Sequence, residues 1–219
     1  MPVTPSVPSR PESEARVKPI LDHLTKAQIR IVSQLGRKAG WLANKQRKLG
    51  YHCSESVFAA VVEVLSLKVY PPAPKMASGF HGGGGRIRVG DEEVPTGCMC
   101  GALAGGVLAL GVLYGRTSPK GSRYGCIPHT AGYLHQRFFA EVGGKCCSML
   151  RPLYQRMDPE RSCQELYRKG AELAIEAMFA APGVFGECKL PRSLQRLISA
   201  PPAKPRGENS RKTRALATK

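Results

Sequence analysis

Residues 96–116, Thr-Gly-Cys-Met-Cys-Gly-Ala-Leu-Ala-Gly-Gly-Val-Leu-Ala-Leu-Gly-Val-Leu-Tyr-Gly-Arg, constrain the fold more than any other stretch. Two cysteines lead it, and no charge follows before Arg116. Read as a helix, Cys100, Leu103, Ala104, Val107, Leu108 and Gly111 recur near the 3.6-residue period and share one face. Each glycine costs a helix about 1 kcal/mol against alanine. That cost is offset where another backbone or a bulky group approaches closely. The pattern predicts a central, tightly packed helix with thiols at its N-terminus. A membrane span needs about 20 apolar residues. The uncharged run from Gly97 to Gly115 is borderline in length, rich in glycine and opened by thiols, so no span is expected.

A chain of 219 residues has room for one ordinary domain with tails, and 42% hydrophobic residues suffice for a core. Eight cysteines are many for a reducing compartment yet too few, at this length, for a disulfide scaffold. The opening Met-Pro-Val-Thr-Pro-Ser-Val-Pro-Ser-Arg has no apolar core of a secretory signal, so a cytoplasmic location is expected. There, clustered cysteines bind metal or carry electrons more often than they staple a fold.

A formal net charge of +17 invites a nucleic-acid reading. Its distribution argues against one. Lys204, Arg206, Arg211, Lys212, Arg214 and Lys219 face only Glu208 in the C-terminal tail. Residues 16–48 carry nine basic side chains against Asp22. Most of the charge therefore lies outside the cysteine-bearing region, and no recognition-helix or zinc-finger spacing is present. Solvated basic faces are expected, not a nucleic-acid partner.

Pro2, Pro5, Pro8, Pro11 and Pro19 mark residues 1–19 as a disordered tail. Residues 20–198 read as one helical domain, and 199–219 as a basic disordered tail. A helical pattern runs from about Ile20 to Leu49, with a break expected near Gly36–Gly40. A second helix spans Cys53 to Lys68 and stops at Pro71, Pro72 and Pro74. Four consecutive glycines, Gly82–Gly85, then form a loop or a helix end in close backbone contact with something; no GxxxxGK[ST] phosphate loop is present. Asp91–Pro95 reads as a polar connector and 117–132 as turns. A short helix is expected over Ala131–Val142, and another opens at Asp158-Pro159-Glu160 and ends at Pro182-Gly183. Alternation of period two is almost absent. The expected class is all-α, a helical bundle around a central glycine-rich helix.

Cys53, Cys100 and Cys163 fall in the first turns of predicted helices, on their apolar faces, and Cys147 opens another short segment. A helix N-terminus carries about half a positive charge and unbonded N–H groups. It should depress thiol pKa values and stabilise thiolates, or a cluster that thiolates hold. The plain alternative is that these cysteines are small core residues.

These residues carry a resemblance. His52-Cys53-Ser-Glu-Ser-Val-Phe, Ala77-Ser-Gly-Phe-His-Gly-Gly-Gly, Cys100-Gly-Ala-Leu-Ala-Gly105, Cys147-Ser-Met-Leu150 and Cys163 follow one another as in the redox-active protein family named for the pattern C…GCAxxG…C…C. The chain resembles that family over about residues 50–180. A related domain ends split-Soret cytochrome c, where an iron–sulfur centre is suspected; no C-x-x-C-H haem motif occurs here. The resemblance implies that Cys53, Cys100, Cys147 and Cys163 are the family cysteines, with Cys98 and Cys146 as alternates beside them. It implies a redox or electron-transfer role.

Four readings of the site stay open at this point. The first is an iron–sulfur cluster of the [2Fe–2S] type on Cys53, Cys100, Cys147 and Cys163. The second is a metal-free dithiol–disulfide protein, and the third a structural zinc site. The fourth is a non-catalytic basic helical adaptor. His52 and His81 are candidate alternative ligands or proton donors, set against the plainer reading of solvated or core side chains. The expected partners are a redox protein and, through the glycine face of the central helix, a second copy of the chain.

Overall fold

A computed structural model describes residues 18–70, 72–119, 125–157 and 163–199. Most of the expected tails and the Asp158-Pro159-Glu160 helix start lie outside the described residues. Thr25 caps the first helix, α1 (Lys26–Lys48): Gln28 N–H donates to Thr25 Oγ1 and Thr25 N–H to Gln28 Oε1. The capping box sets the start at Lys26, six residues later than the apolar pattern suggested. No break occurs at Gly36 or Gly40. Those glycines instead let α1 lie against the backbone of a later helix, α7 (Gln164–Val184), near Arg168 and Glu172.

Helix α2 (Cys53–Leu65) stops before the prolines, where Ser66 takes the left-handed conformation (φ 50°) and the Leu67 N–H donates to the Val62 carbonyl. A six-residue helix, α3 (Ala73–Ser78), leads into the glycine loop. The expected connector is in fact a strand. Residues β1 (Arg86–Val89) and β2 (Glu92–Pro95) pair antiparallel across a Gly90-Asp91 turn, with Gly90 at φ 63°. Both strands are largely exposed. This hairpin is the one departure from the all-α expectation among the described residues.

Helix α4 (Gly101–Tyr114) is the centre of the core. It packs on α2, on α7 and on α5 (Cys126–Val142). Burial surrounds its N-terminal half: Gly101 to Gly106 are all buried, while Val107, Leu108 and Gly111 of the expected apolar face are only half-buried. Glycines make the closeness possible. A Cβ at Gly105 would run into the Ser54 carbonyl of α2, and one at Gly106 would lie 3.1 Å from Ala174 Cβ of α7. From the other side, a Cβ at Gly170 of α7 would lie 2.8 Å from the Ala102 carbonyl oxygen. The glycine face expected to meet a second copy is thus occupied within the chain at these positions. At the far end, the buried Tyr114 hydroxyl donates to the Met178 carbonyl at 2.6 Å.

Helix α5 starts at Cys126, five residues before the expected Ala131, and ends at Gly143 with φ 80°. Then follow α6 (Cys147–Met157) and α7, which continues through Pro182 to Val184. The last helix, α8 (Arg192–Ser199), was not foreseen; it buries Leu194 and Ile198. Cys126 and Cys188 form a disulfide, both residues buried, that ties the start of α5 to the segment after α7. Among the described residues no helix is long and apolar enough to cross a membrane.

Candidate redox centre

Four helices begin around one cavity, and each brings a cysteine to its start. Cys53 is the first residue of α2, Cys100 the N-cap of α4, Cys147 the first residue of α6, and Cys163 the N-cap of α7. All four line the same cavity of about 410 Å3. Cys98 is exposed and Cys146 half-buried, and neither lines it. The structure therefore brings together the four thiols singled out in the sequence and leaves the two neighbours aside.

Backbone hydrogen bonds lock this arrangement. The Cys100 N–H donates to the Lys145 carbonyl at 2.6 Å, which fixes the start of α4 beside that of α6. Gly97 N–H donates to Gly82 O, and Cys98 N–H to Gly83 O, each at 3.0 Å. Ser148 donates to the Gly97 carbonyl through both its N–H and its hydroxyl. The partner of the glycine loop is thus the segment that leads into α4. Gly83 (φ 84°) could carry no side chain: its Cβ would lie 2.7 Å from Gly97 Cα.

Cys53 packs against the start of α4 at Gly101, the residue after Cys100. A Cβ at position 101 would overlap Cys53 Sγ and lie 3.1 Å from the Phe80 carbonyl oxygen. The family pattern writes alanine after its second cysteine; glycine stands there in this chain, and the space it leaves holds Cys53. His81, also at the cavity wall, has Nδ1 3.9 Å from Cys53 Sγ, and its ring stacks on that of His52. His52 itself does not line the cavity.

Helix N-termini were expected to depress the thiol pKa values. In the structure burial outweighs them. The Ala102 and Leu103 amides favour the Cys100 thiolate, yet burial pushes that thiol up to about 12. Burial also raises Cys53 against the opposing Gly82 and Ser54 amides, and raises Cys147, where Cys53 and Cys163 add to it. Burial likewise raises the Tyr167 phenol at the cavity wall. His81 is held below the usual imidazole value by burial first, then by His52, Arg86, Arg47 and Arg151.

The donor set is right in kind for a thiolate-held metal centre, since four cysteines suffice for an iron–sulfur cluster. Among the described residues no three ligand-type side chains stand close enough to close on a single ion. That spacing disfavours a preformed tetrahedral zinc site, whose four ligands all lie about 2.0–2.3 Å from one metal. Sequence reasoning missed Arg47, Lys48, Arg86 and Arg151, which also line the cavity. They come from α1, the hairpin and α6, and only folding brings those elements together.

Residues 51–177 match the family described as "Putative redox-active protein (C_GCAxxG_C_C)". No curated protein and no solved structure gives a match to the chain. The match spans more than half of the sequence and contains all four cavity thiols, so the chain belongs to the C_GCAxxG_C_C family of redox-active proteins.

Proposed function

We propose that this chain is an electron-transfer protein whose centre is an iron–sulfur cluster, of the [2Fe–2S] type, held by Cys53, Cys100, Cys147 and Cys163. One observation carries the reading: four thiols, each at the start of a different helix, line one cavity. Helix N-termini stabilise negative charge, and a thiolate-held cluster is an anion. When bound, such a cluster supplies one-electron transfer at a potential set by hydrogen bonds and burial around its sulfurs. The chain's own contribution is to hold the four ligands and to aim the Ala102, Leu103, Gly82 and Ser54 amides at two of them.

One feature argues against a metal-free dithiol centre. Thiol–disulfide exchange needs an attacking sulfur that its partner can reach, and Cys100 is inaccessible, with 4% of its surface exposed. A metal centre needs no such access once assembled. The proposed setting is the cytoplasm, and the proposed partner is a second redox protein.

The test is anaerobic purification followed by iron, zinc and acid-labile sulfide assays and a visible spectrum. Stoichiometric iron and sulfide with visible absorption, lost in Cys100→Ser but retained in Cys98→Ser, is the expected result. A colourless, iron-free chain after anaerobic reconstitution would overturn the proposal. Stoichiometric zinc would replace it with a structural site.

A further inference from the structure

The cavity is larger than its thiols require, and its remaining walls are basic. Its volume of about 410 Å3 falls within the range of roughly 300–1,000 Å3 typical of small-molecule sites. The lining also includes Arg47 and Lys48 from the end of α1 and Arg151 from the middle of α6, all exposed at the rim. Among the described residues the lining contains no carboxylate. Arg86 at the rim is already paired with Glu93 at 3.3 Å, whereas none of Arg47, Lys48 and Arg151 forms an ion pair among the described residues. Arg47 and Lys48 partly answer the negative end of the α1 dipole. Arg151 lies within α6, away from its C-terminus, where its charge also favours the Cys147 thiolate.

Two further features point the same way. The starts of α2, α4, α6 and α7 direct positive helix ends at the same space. Gln155 and Gln164 add amide groups that can donate.

We propose that the cavity binds a small oxyanion, a molecule with a carboxylate or phosphate group, between the thiols and a rim of Arg47, Lys48 and Arg151. The inference deepens the redox reading by naming what meets the centre. It rests on that reading only for the anion's role as a substrate, since the binding itself depends on the rim.

Sodium phosphate and sodium succinate are the probes, titrated by calorimetry at low ionic strength into the full chain, both metal-free and reconstituted. Saturable binding with one site per chain is expected for at least one probe. The tighter of the two identifies the headgroup. Arg47→Gln and Arg151→Gln should each weaken that binding by about 10-fold, while Arg196→Gln on the exposed side of α8 leaves it unchanged. The second readout needs no variant: the bound probe should slow iodoacetamide labelling of Cys53 and Cys147 in the metal-free wild-type chain.

Absence of saturable binding in both states would overturn the inference. So would equal weakening by Arg196→Gln, which would assign the effect to diffuse surface charge. Loss of iron from the rim variants without any anion binding to the wild type would assign those cations to the thiolates alone. Failure of the redox reading is separable, because it is read in iron and sulfide content. Phosphate protection of the metal-free thiols does not depend on either.

Discussion

Gly101 decides how closely Cys53 and the start of α4 can approach. Alanine at 101 puts a methyl group into the space that Cys53 Sγ occupies, against the Phe80 carbonyl as well. Gly101→Ala should therefore destabilise the chain by about 1–3 kcal/mol, the usual cost of overpacking. It should also displace Cys53. The measurable consequence is reduced iron per chain after reconstitution, with the far-ultraviolet helical signal retained. Full iron loading in Gly101→Ala would show that Cys53 does not depend on this space. Cys100 gives a second residue-scale expectation. Its folded pKa, pushed up by burial to about 12, lies above the ordinary 9.0 of the unfolded chain. The folded state thus keeps a proton that the unfolded state releases. Stability of the metal-free chain is fully present below pH 9.0 and falls as pH rises toward 12. Denaturant titrations across that window should show the fall, and Cys100→Ala should make it shallower, leaving the share of Cys53, Cys147 and Tyr167.

At the scale of one helix, α4 explains why glycine could be read from sequence as a packing signal but not as a map. The same substitution should have opposite signs at two of its positions. Gly105→Ala collides with the Ser54 carbonyl and nears the Phe58 amide, and should cost about 1–3 kcal/mol. Gly111→Ala meets nothing within 4 Å and should stabilise by up to about 1 kcal/mol through helix propensity alone. Paired urea denaturations of the two variants check both signs; destabilisation by both would mean that α4 tolerates no added methyl. The central helix, the glycine loop and the cysteine-led helix starts were legible because each depends on local residue types. What was not legible depends on partners. The break expected at Gly36–Gly40 is absent because α7 lies there, which nothing within α1 reveals. Ser66 ends α2 early through a left-handed residue that composition does not mark. The Thr25-x-x-Gln28 box, by contrast, was present in the sequence and would have placed the start of α1. The depressed thiol pKa values followed from helix ends considered alone, and burial reverses them at Cys53, Cys100 and Cys147.

For the whole molecule, the eight cysteines divide into three kinds of use. Four line the cavity, Cys98 and Cys146 stand beside it, and Cys126 and Cys188 join elsewhere in a buried disulfide. The last pair was visible in the sequence only as two cysteines left over, and its partnering depends on where α5 begins relative to the end of α7. Its sequence separation of 62 residues makes it the longest-range covalent constraint among the described residues. Closing a loop of that length restricts the unfolded chain and should contribute about 4 kcal/mol in the loop-entropy account. The Cys126→Ser, Cys188→Ser double variant should therefore melt well below the wild type under non-reducing conditions. Reductant should lower the wild-type melting temperature toward that of the variant and leave the variant's own unchanged. Because the bridge lies outside the cavity wall, iron and sulfide content per folded chain should be the same in variant and wild type. Loss of the metal centre together with the bridge would mean that the two cysteine sets form one redox system. Unchanged iron with lowered stability separates them into a scaffold and a centre.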